Sequence, residues 1–209
     1  MEGCASNVRR HFLPSLRILW HCNRFSLEIE TLKQLHHDGI VEIFGFGEQD
    51  GILFYSMELV DGPSLYETLK SEGPIAWRDV VRMTIEICHA LKHAHDRGVI
   101  HRDLKPANVL MAITPTGLVP KIADFGLAKH VSSLQPITAT QTGIALGTPA
   151  FMAPEQIRDA KTADHRADLF SLGVILYEMV TGKLPFEGNS PLDVFQQIVS
   201  GSYEPPENL

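Results

Sequence analysis

The feature that most constrains this chain is a dense group of polar residues between two apolar segments. The stretch VIHRDLKPANVL, residues 99–110, holds one carboxylate, three basic side chains and an amide, with Pro106 among them. Its apolar ends favour burial of both flanks, and the proline opposes a continuous helix. A polar loop held between buried segments is typical of a site that carries chemistry.

Composition sets broad limits on the kind of protein. The chain has 209 residues, of which 44% are hydrophobic and 21% charged, typical of a soluble protein with one core or with two lobes. A net charge of −7 without a long basic run disfavours a nucleic-acid or anionic-membrane surface. Three cysteines without a CxxC pair indicate neither a disulfide framework nor a zinc site, so we expect a cytoplasmic, reducing compartment. No apolar run is long enough to predict a membrane span.

The first part of the chain predicts a small helix-plus-sheet unit. Apolar residues at helical spacing predict an amphipathic helix over residues 24–37. Residues 39–59 predict two strands, joined by a tight turn at residues 48–51 that contains Asp-Gly. Gly62 and Pro63 then break the pattern and indicate a hinge.

The next part predicts a long helix and a hairpin. Residues 77–97 have helical spacing, and Gly98 marks the end of the helix. Two short apolar pieces, residues 109–111 and 119–123, predict the hairpin. On the helix we expect one buried face, which also assigns the cysteine to the core, formed by Val81, Ile85, Cys88 and Leu91.

The last part predicts two further helices after a long loop. Residues 131–150 are rich in Ser, Thr and Gly and show no helical or strand period. Residues 163–186 are apolar nearly all round, which predicts a helix buried on every side. Residues 190–201 predict an amphipathic helix capped by Ser190.

Three motifs in order suggest a family. The pattern H-R-D-L-x-x-x-N at residues 101–108 is followed by D-F-G at 124–126 and by A-P-E at 153–155. Together they resemble the protein kinases. Lys105 and the segment GTPAFMAPE resemble the serine/threonine branch of the protein kinases. The sequence is most similar to the eukaryotic-like kinases of bacteria. The resemblance covers roughly residues 24–201.

The resemblance implies an α+β, two-lobed kinase fold with a truncated, β-rich small lobe and a mainly helical large lobe. In these terms residues 1–23 are an irregular remnant of the small lobe. Residues 24–60 are the rest of the small lobe. Residues 61–209 are the large lobe, with the catalytic loop and the activation segment, incomplete at its C-terminal end.

The implied activity is transfer of the γ-phosphate of ATP to Ser or Thr hydroxyls of protein substrates, with Mg²⁺. Asp103 would accept the proton of the substrate hydroxyl, and Lys105 would place a positive charge on the moving phosphate. Asn108 and Asp124 offer hard oxygen ligands that suit magnesium. Thr148 resembles the family threonine that hydrogen-bonds the catalytic Asp and Lys.

The resemblance also assigns residues to the nucleotide. Glu28 matches the helix glutamate that pairs with the ATP-positioning lysine. The backbones of Glu58 and Val60 would meet the adenine edge, with Met57 guarding the pocket behind and Leu110 as its floor.

Other residues are expected to support the site. His101 would support the loop, Asp168 would cap its backbone amides, and Glu155 would make a structural ion pair. Arg102 would await a phosphate on the Ser/Thr-rich segment, where the candidate phosphosites are Thr138, Thr140 and Thr142.

The chain departs from the family pattern at its start. Before Glu28 the sequence contains one glycine and no lysine, so neither the glycine-rich turn nor the ATP-positioning lysine is present. The segment VRRHFLP resembles the lysine-bearing strand, with Arg9, Arg10 or His11 where lysine would fall. Two readings stay open besides active kinase: a fragment with impaired catalysis, or a pseudokinase that binds partner proteins. A small-molecule phosphotransferase is more distant, because the A-P-E segment builds a peptide platform.

Overall fold

The computed structural model of the protein describes residues 8–12, 30–49, 52–115, 117–125, 149–159 and 163–208. Within these ranges the chain has an α+β architecture, with a three-stranded sheet ahead of a mainly helical part that carries a two-stranded hairpin.

The small sheet has three antiparallel strands, β1 (Val8–Phe12), β2 (Ile43–Gln49) and β3 (Ile52–Glu58), in the order β1-β3-β2. The two strands predicted over residues 39–59 are therefore confirmed. Tyr55 and Met57 on β3 are buried and alternate with partly exposed Phe54 and Ser56, as the period of two requires. The inner face of this central strand points towards the site described below.

Two helices follow the sheet, α1 (Leu65–Glu72) and α2 (Trp77–His95). Ser64 begins α1 with a capping box, in which its Oγ accepts from the Glu67 backbone N–H and the Glu67 carboxylate accepts from the Ser64 N–H. The long helix predicted over residues 77–97 is confirmed. Of the earlier predicted helix, residues 30–32 are helical and residues 24–29 lie outside the described part.

The predicted buried face of α2 is wrong. Val81 and Ile85 are 48% and 50% exposed, and Cys88 is exposed as well, so the assignment of this cysteine to the core is also wrong. Leu91 is buried as expected. A second stripe at helical spacing packs inward instead and includes small alanines that let α2 approach its neighbours closely; it consists of Val80, Met83, Ile87, Ala90, Leu91 and Ala94.

The predicted hairpin is confirmed as β4 (Val109–Thr114) paired with β5 (Gly117–Ile122). Backbone hydrogen bonds from Met111 N–H to Pro63 C=O (2.8 Å) and from Ile122 N–H to Gly39 C=O (2.8 Å) attach it to the segments that flank the small sheet. Gly62 has a φ of +148°, and a Cβ there would lie 1.9 Å from the Met111 carbonyl oxygen, so only glycine fits.

Three helices complete the described part: α3 (Pro154–Arg158), α4 (Arg166–Thr181) and α5 (Pro191–Ser200). The Ser190 cap of α5 is confirmed, because its Oγ accepts from the Asp193 N–H at 3.2 Å. The core joins all these elements, and its most deeply buried side chains include Leu65, Leu91, Leu104, Met111, Ile122, Ile175 and Met179.

The expectation that α4 is buried on every side is wrong for the described residues. Leu169, Leu176 and Val180 form an exposed stripe, because no other described element packs against that face. None of the described helices is long and apolar enough to cross a membrane.

Candidate active site

The polar stretch at residues 99–110 forms a loop between α2 and β4. Asp168 of α4 anchors this loop through hydrogen bonds. Asp168 is fully buried, and its Oδ2 and Oδ1 accept the backbone N–H groups of His101 (2.9 Å) and Arg102 (2.7 Å). The predicted capping role of Asp168 is therefore confirmed. A buried carboxylate can persist because these amides replace its lost hydration.

A histidine completes the shell of Asp168. The Nε2 atom of His95, at the end of α2, lies 2.7 Å from Asp168 Oδ2. Burial alone would raise the pKa of Asp168, but the hydrogen bond with His95 and the two backbone amides hold that pKa below its ordinary value. Asp168 is therefore an ionised anchor shared by α2, α4 and the loop.

His101 supports the loop from inside, as predicted. Its ring is fully buried; Nδ1 accepts the Asp103 N–H at 3.3 Å, so Nε2 carries the proton and donates to the Ala123 carbonyl at 2.9 Å. The ring also contacts Phe125, with centroids 4.8 Å apart. His101 thus ties the catalytic loop to the segment that carries Asp124.

Three of the predicted catalytic side chains meet at one carboxylate oxygen. Lys105 Nζ donates to Asp103 Oδ2 at 2.7 Å, and Asn108 Nδ2 donates to the Asp103 carbonyl at 2.9 Å and more weakly to Oδ2 at 3.4 Å. The side chain of Asp103 remains 33% exposed. Because both donors approach Oδ2, Oδ1 is the oxygen of Asp103 that faces away from them.

The hairpin register places the backbone of Asp124 next to that of Asn108. Val109 pairs with Ile122, and the Ala123 N–H donates to the Asn108 carbonyl at 2.9 Å, so Asp124 follows directly beside Asn108. Asp124 has a φ of +59°, and Arg102 is the other described non-glycine residue with positive φ. Backbone in this left-handed region costs energy and is typical of functional loops.

The carboxylate of Asp124 is held by a tyrosine. The Tyr55 hydroxyl donates to Asp124 Oδ1 at 2.7 Å. Burial, followed by the charge of Asp124 and this hydrogen bond, raises the pKa of Tyr55 well above its ordinary value, so the phenol is the proton donor.

The available oxygens of Asn108 and Asp124 suit a magnesium ion. The amide nitrogen of Asn108 faces Asp103, which leaves its Oδ1 as the ligand atom, and among the described residues no hydrogen bond reaches Asp124 Oδ2. Two protein oxygens are typical of magnesium sites that share the ion with substrate phosphates. Within the described ranges, no cluster of three or more His, Cys, Asp or Glu side chains could hold a metal alone. The histidines of α2 therefore belong to no such cluster among the described residues.

Of the residues predicted to contact the adenine, Met57 lines a cavity of the described structure. Met57 is buried and lines an apolar cavity together with Tyr55, Asp124 and Phe125, while Leu110 on β4 is partly buried. The Glu58 N–H donates to the Glu42 carbonyl at 2.8 Å, and the Glu58 carboxylate pairs with Lys121 on β5. In the described part of the chain, the backbone N–H and C=O of Val60 make no hydrogen bond.

The A-P-E segment is joined to the catalytic loop through a glutamine. Gln156 Oε1 accepts the Ala153 N–H at 3.0 Å, and its Nε2 donates to the Arg102 carbonyl at 2.9 Å. Arg102 Nε is buried and has no hydrogen-bond partner in the described structure. That arrangement is compatible with the predicted role of Arg102 in binding an anionic group.

Several predicted residues lie outside the described part of the chain: Glu28, Thr148 and the candidate phosphosites Thr138, Thr140 and Thr142. Their roles stay predictions. The segment that resembles the lysine-bearing strand is β1, which pairs antiparallel with β3. In this register Arg9 lies opposite Met57, Arg10 opposite Ser56 and His11 opposite Tyr55.

Tyr55, Gln156, His95 and the Glu58–Lys121 pair were not predicted from the sequence. For Tyr55 a signal exists, since it lies two residues before Met57 and therefore shares its face of the strand. The pairings of Tyr55 with Asp124 and of His95 with Asp168 span 69 and 73 residues. Patterns among neighbouring residues in the sequence do not indicate hydrogen bonds over such separations.

Comparisons with known proteins agree with this geometry. The family model described as "Protein kinase domain" matches residues 16–207. A probable serine/threonine-protein kinase PknB of Corynebacterium glutamicum is 40% identical over 190 residues, which cover 89% of this chain and 29% of the relative. Serine/threonine-protein kinase pkn3 of Myxococcus xanthus is 40% identical over 188 residues, covering 88% and 34%. The chain thus spans about a third or less of the length of these relatives.

A solved structure has the same fold. Residues 1–466 of Rad53, in complex with AMP-PNP, match with a TM-score of 0.72 and 32% sequence identity. The match covers 88% of this chain and 45% of that one.

Proposed function

This chain belongs to the protein kinase family, and from that premise we propose that it transfers the γ-phosphate of ATP to serine and threonine hydroxyls of proteins. One observation carries the proposal: Asp103, Lys105 and Asn108 meet within hydrogen-bonding distance, and Asp124 follows beside Asn108. A module that only binds partners has no physical need for this group, so the pseudokinase alternative is not favoured.

Asp103 is the proposed proton acceptor. Lys105 and Asn108 occupy its Oδ2, so a substrate hydroxyl would donate to Oδ1, which orients the hydroxyl oxygen for in-line attack on the phosphorus. The O–P bond to the substrate forms as the bond to the ADP oxygen breaks, and the hydroxyl proton passes to Asp103.

Lys105 is proposed to stabilise charge during transfer. Its ammonium already lies beside the Asp103 carboxylate, at the place where the moving phosphoryl oxygens would gather negative charge. Lysine can act here as a compact point charge with three donors. Thr148 is proposed to hydrogen-bond these two residues.

Asn108 and Asp124 are the proposed ligands of Mg²⁺, through Asn108 Oδ1 and Asp124 Oδ2. When bound, the ion neutralises charge on the phosphate oxygens and fixes their orientation. The two residues hold those ligand atoms in place through the hydrogen bonds of Asn108 to Asp103 and of Tyr55 to Asp124.

The nucleotide base is proposed to lie against the segment after β3. The Glu58 N–H is used by Glu42, so the carbonyl of Glu58 and the backbone of Val60 are the groups proposed to meet adenine. Met57 would close the rear of the pocket and Leu110 its floor. Glu28 is proposed to pair with the cationic group that positions the phosphates.

Protein substrates and a serine/threonine preference are supported by the names of the bacterial relatives and by the A-P-E segment, which Gln156 joins to the catalytic loop. The boundaries proposed for the parts of the chain are residues 1–23, 24–60 and 61–209. We place the activity in the cytoplasm, where ATP is supplied.

The test is transfer of labelled phosphate. The protein is mixed with γ-labelled ATP, Mg²⁺ and a generic basic protein, and the labelled amino acids are identified after hydrolysis. We expect phosphoserine and phosphothreonine, and a loss of about 10²-fold or more in rate for Asp103→Asn, as expected for removal of a general base. Asp96→Asn, an exposed change near the end of α2, is the matched control and should retain the rate. Transfer that persists in Asp103→Asn would refute the assignment.

A further inference from the structure

We propose that Tyr55 is a positioning residue for Asp124: its hydroxyl holds Oδ1, so that Oδ2 is the oxygen presented to Mg²⁺. The inference rests on the proposed function and adds a residue to its site. Its basis is the 2.7 Å hydrogen bond from Tyr55 Oη to Asp124 Oδ1.

Tyr55 is placed to fix its partner firmly. It lies in the middle of β3, the central strand of the small sheet, opposite His11 on β1 and Phe46 on β2. Only 4% of its surface is exposed. A tyrosine ring packed in this way has few rotamers open to it, so its hydroxyl has one position relative to Asp124.

Asp124 needs such a support. Its backbone lies in the left-handed region, and the cavity beside its side chain is lined mainly by apolar residues. A carboxylate beside apolar surface is costly unless a donor binds it. Among the described residues, Tyr55 is the one side chain that donates to Asp124. The apolar residues that line this cavity are Leu32, Leu35, Ile40, Val41, Ile43, Met57 and Phe125.

The hydrogen bond between the Tyr55 hydroxyl and the Asp124 carboxylate determines which carboxylate oxygen is left to bind the metal. An O–H donor to an ionised carboxylate makes a short, charge-assisted bond, which orients the whole group because both oxygens lie in one plane. With Oδ1 directed at Tyr55, Oδ2 projects on the opposite side of the carboxylate. Without the hydroxyl, the carboxylate can rotate and the ligand atom loses its fixed position.

The opposite role, competition, makes a different prediction. If the hydroxyl mainly occupied a lone pair that the ion needs, then removing it would strengthen metal binding. If it positions Asp124, then removing it weakens metal binding. The sign of the change therefore separates the two roles.

The experiment compares Tyr55→Phe with Tyr66→Phe. Both changes remove one phenolic hydroxyl and keep the ring, but Tyr66 is exposed on α1. Mn²⁺ is titrated in the presence of ADP, and the free ion is measured by electron paramagnetic resonance. We expect Mn²⁺ to bind about tenfold more weakly to Tyr55→Phe and unchanged to Tyr66→Phe, the scale of a lost support behind a metal ligand. Equal or tighter binding to Tyr55→Phe would overturn the proposal.

Kinetics give a second readout that a merely structural role would not move. For Tyr55→Phe, the Mg²⁺ concentration that gives half of the maximal transfer rate should rise about tenfold. Loss of folded protein alone would lower the maximal rate without changing this midpoint.

A measurement on the unsubstituted protein applies even if Tyr55→Phe does not fold. The chain is labelled with 3-fluorotyrosine, and the four fluorine resonances are assigned through Tyr66→Phe, Tyr177→Phe and Tyr203→Phe. Addition of Mg²⁺ and ADP should shift the Tyr55 resonance more than the other three. A Tyr55 resonance that does not respond while Mn²⁺ and ADP bind would contradict the proposal.

The two failures are distinguishable. If the unsubstituted protein binds neither Mn²⁺ nor ADP, the proposed function fails and the role of Tyr55 fails with it. If it binds both and Tyr55→Phe binds equally well, only the positioning role fails.

Discussion

Replacing Asp168 by asparagine tests the anchor beneath the catalytic loop. The carboxylate accepts from His101 N–H, Arg102 N–H and the His95 ring, at 2.9, 2.7 and 2.7 Å. An asparagine keeps one oxygen, which at the Oδ2 position can still accept from the His101 N–H and the His95 ring, while the new NH₂ group faces the Arg102 N–H. Asp168→Asn therefore turns one charge-assisted hydrogen bond into a repulsive donor–donor contact at a fully buried site and removes the charge from the acceptor of the other two.

The expected loss in the free energy of unfolding is about 3 kcal/mol, since a hydrogen bond to a charged group contributes roughly 1.5–3 kcal/mol and a buried unpaired donor adds its desolvation cost. This is a large share of a total stability of roughly 5–15 kcal/mol. Urea unfolding followed by far-ultraviolet circular dichroism at pH 7 measures it. The control is Asp38→Asn, at an exposed aspartate, which should change the value by less than about 0.5 kcal/mol.

The same variant has a defined pH dependence. The folded-state pKa of Asp168 is lowered from its ordinary value of 3.8, so its stabilising contribution is fully present above that value and is lost as the pH falls through the folded-state pKa. The stability gap between the unsubstituted protein and Asp168→Asn should therefore be constant from pH 7 to about 5 and narrow below 3.8. A gap under 1 kcal/mol at pH 7, or one that widens in acid, would refute this account of the anchor.

Three further predictions concern the fold. Ile87→Ala should lower the free energy of unfolding in urea by about 2–5 kcal/mol, and Ile85→Ala by less than about 1 kcal/mol. The reason is that the Ile87 side chain is 1% exposed and the Ile85 side chain 50%. Equal losses for the two variants would contradict the assigned buried face of α2. Gly62→Ala should lower the free energy of unfolding by more than about 2 kcal/mol, because its Cβ would lie 1.9 Å from the Met111 carbonyl oxygen; near-neutrality in the same assay would contradict that contact. Burial, with Glu187 nearby, raises the pKa of Glu178 to about 6. The free energy of unfolding should therefore fall as the pH rises from 4.5 through 6. Glu178→Gln should be about 1 kcal/mol more stable than the unsubstituted protein at pH 7, after allowance for the partial exposure of Glu178. If the free energy of unfolding of Glu178→Gln had the same pH dependence as that of the unsubstituted protein, the raised pKa of Glu178 would be contradicted.

Much of the fold could be predicted because its signals are local. The two strands around the turn in residues 39–59, the helical period over 77–97 and the Ser190 cap each depend on neighbours in sequence, and each was confirmed. The face of α2 could not be chosen locally. Two apolar stripes wind around the same helix, and only contacts with β5 and α4 decide that Ile87 packs inward while Ile85 faces water.

The burial of α4 shows a related limit. Its sequence is apolar on nearly every side, but burial also requires a partner on each face, and among the described elements none covers Leu169, Leu176 and Val180. Periodicity records what a side chain can bury, whereas packing depends on elements distant in the chain.

For the candidate site, motif spacing predicted which residues to examine, and the resemblance predicted the support of the loop by His101 and Asp168. The meeting of Lys105 and Asn108 at Asp103 follows from a short loop, so a local pattern could indicate it. The long-range hydrogen bonds of the site join Tyr55 to Asp124, His95 to Asp168 and Asp168 to Arg102, across 66 to 73 residues of sequence. The roles of Tyr55 and His95 become visible only once the strands and helices are assembled.

The most direct test is the position of the metal in crystals of the protein grown with Mn²⁺ and a non-hydrolysable ATP analogue. The account predicts an anomalous scattering peak within roughly 2–2.5 Å of Asn108 Oδ1 and Asp124 Oδ2, with Asp103 Oδ1 facing the terminal phosphate. A peak bound by other residues, with Asn108 and Asp124 not coordinated and the nucleotide elsewhere, would contradict it.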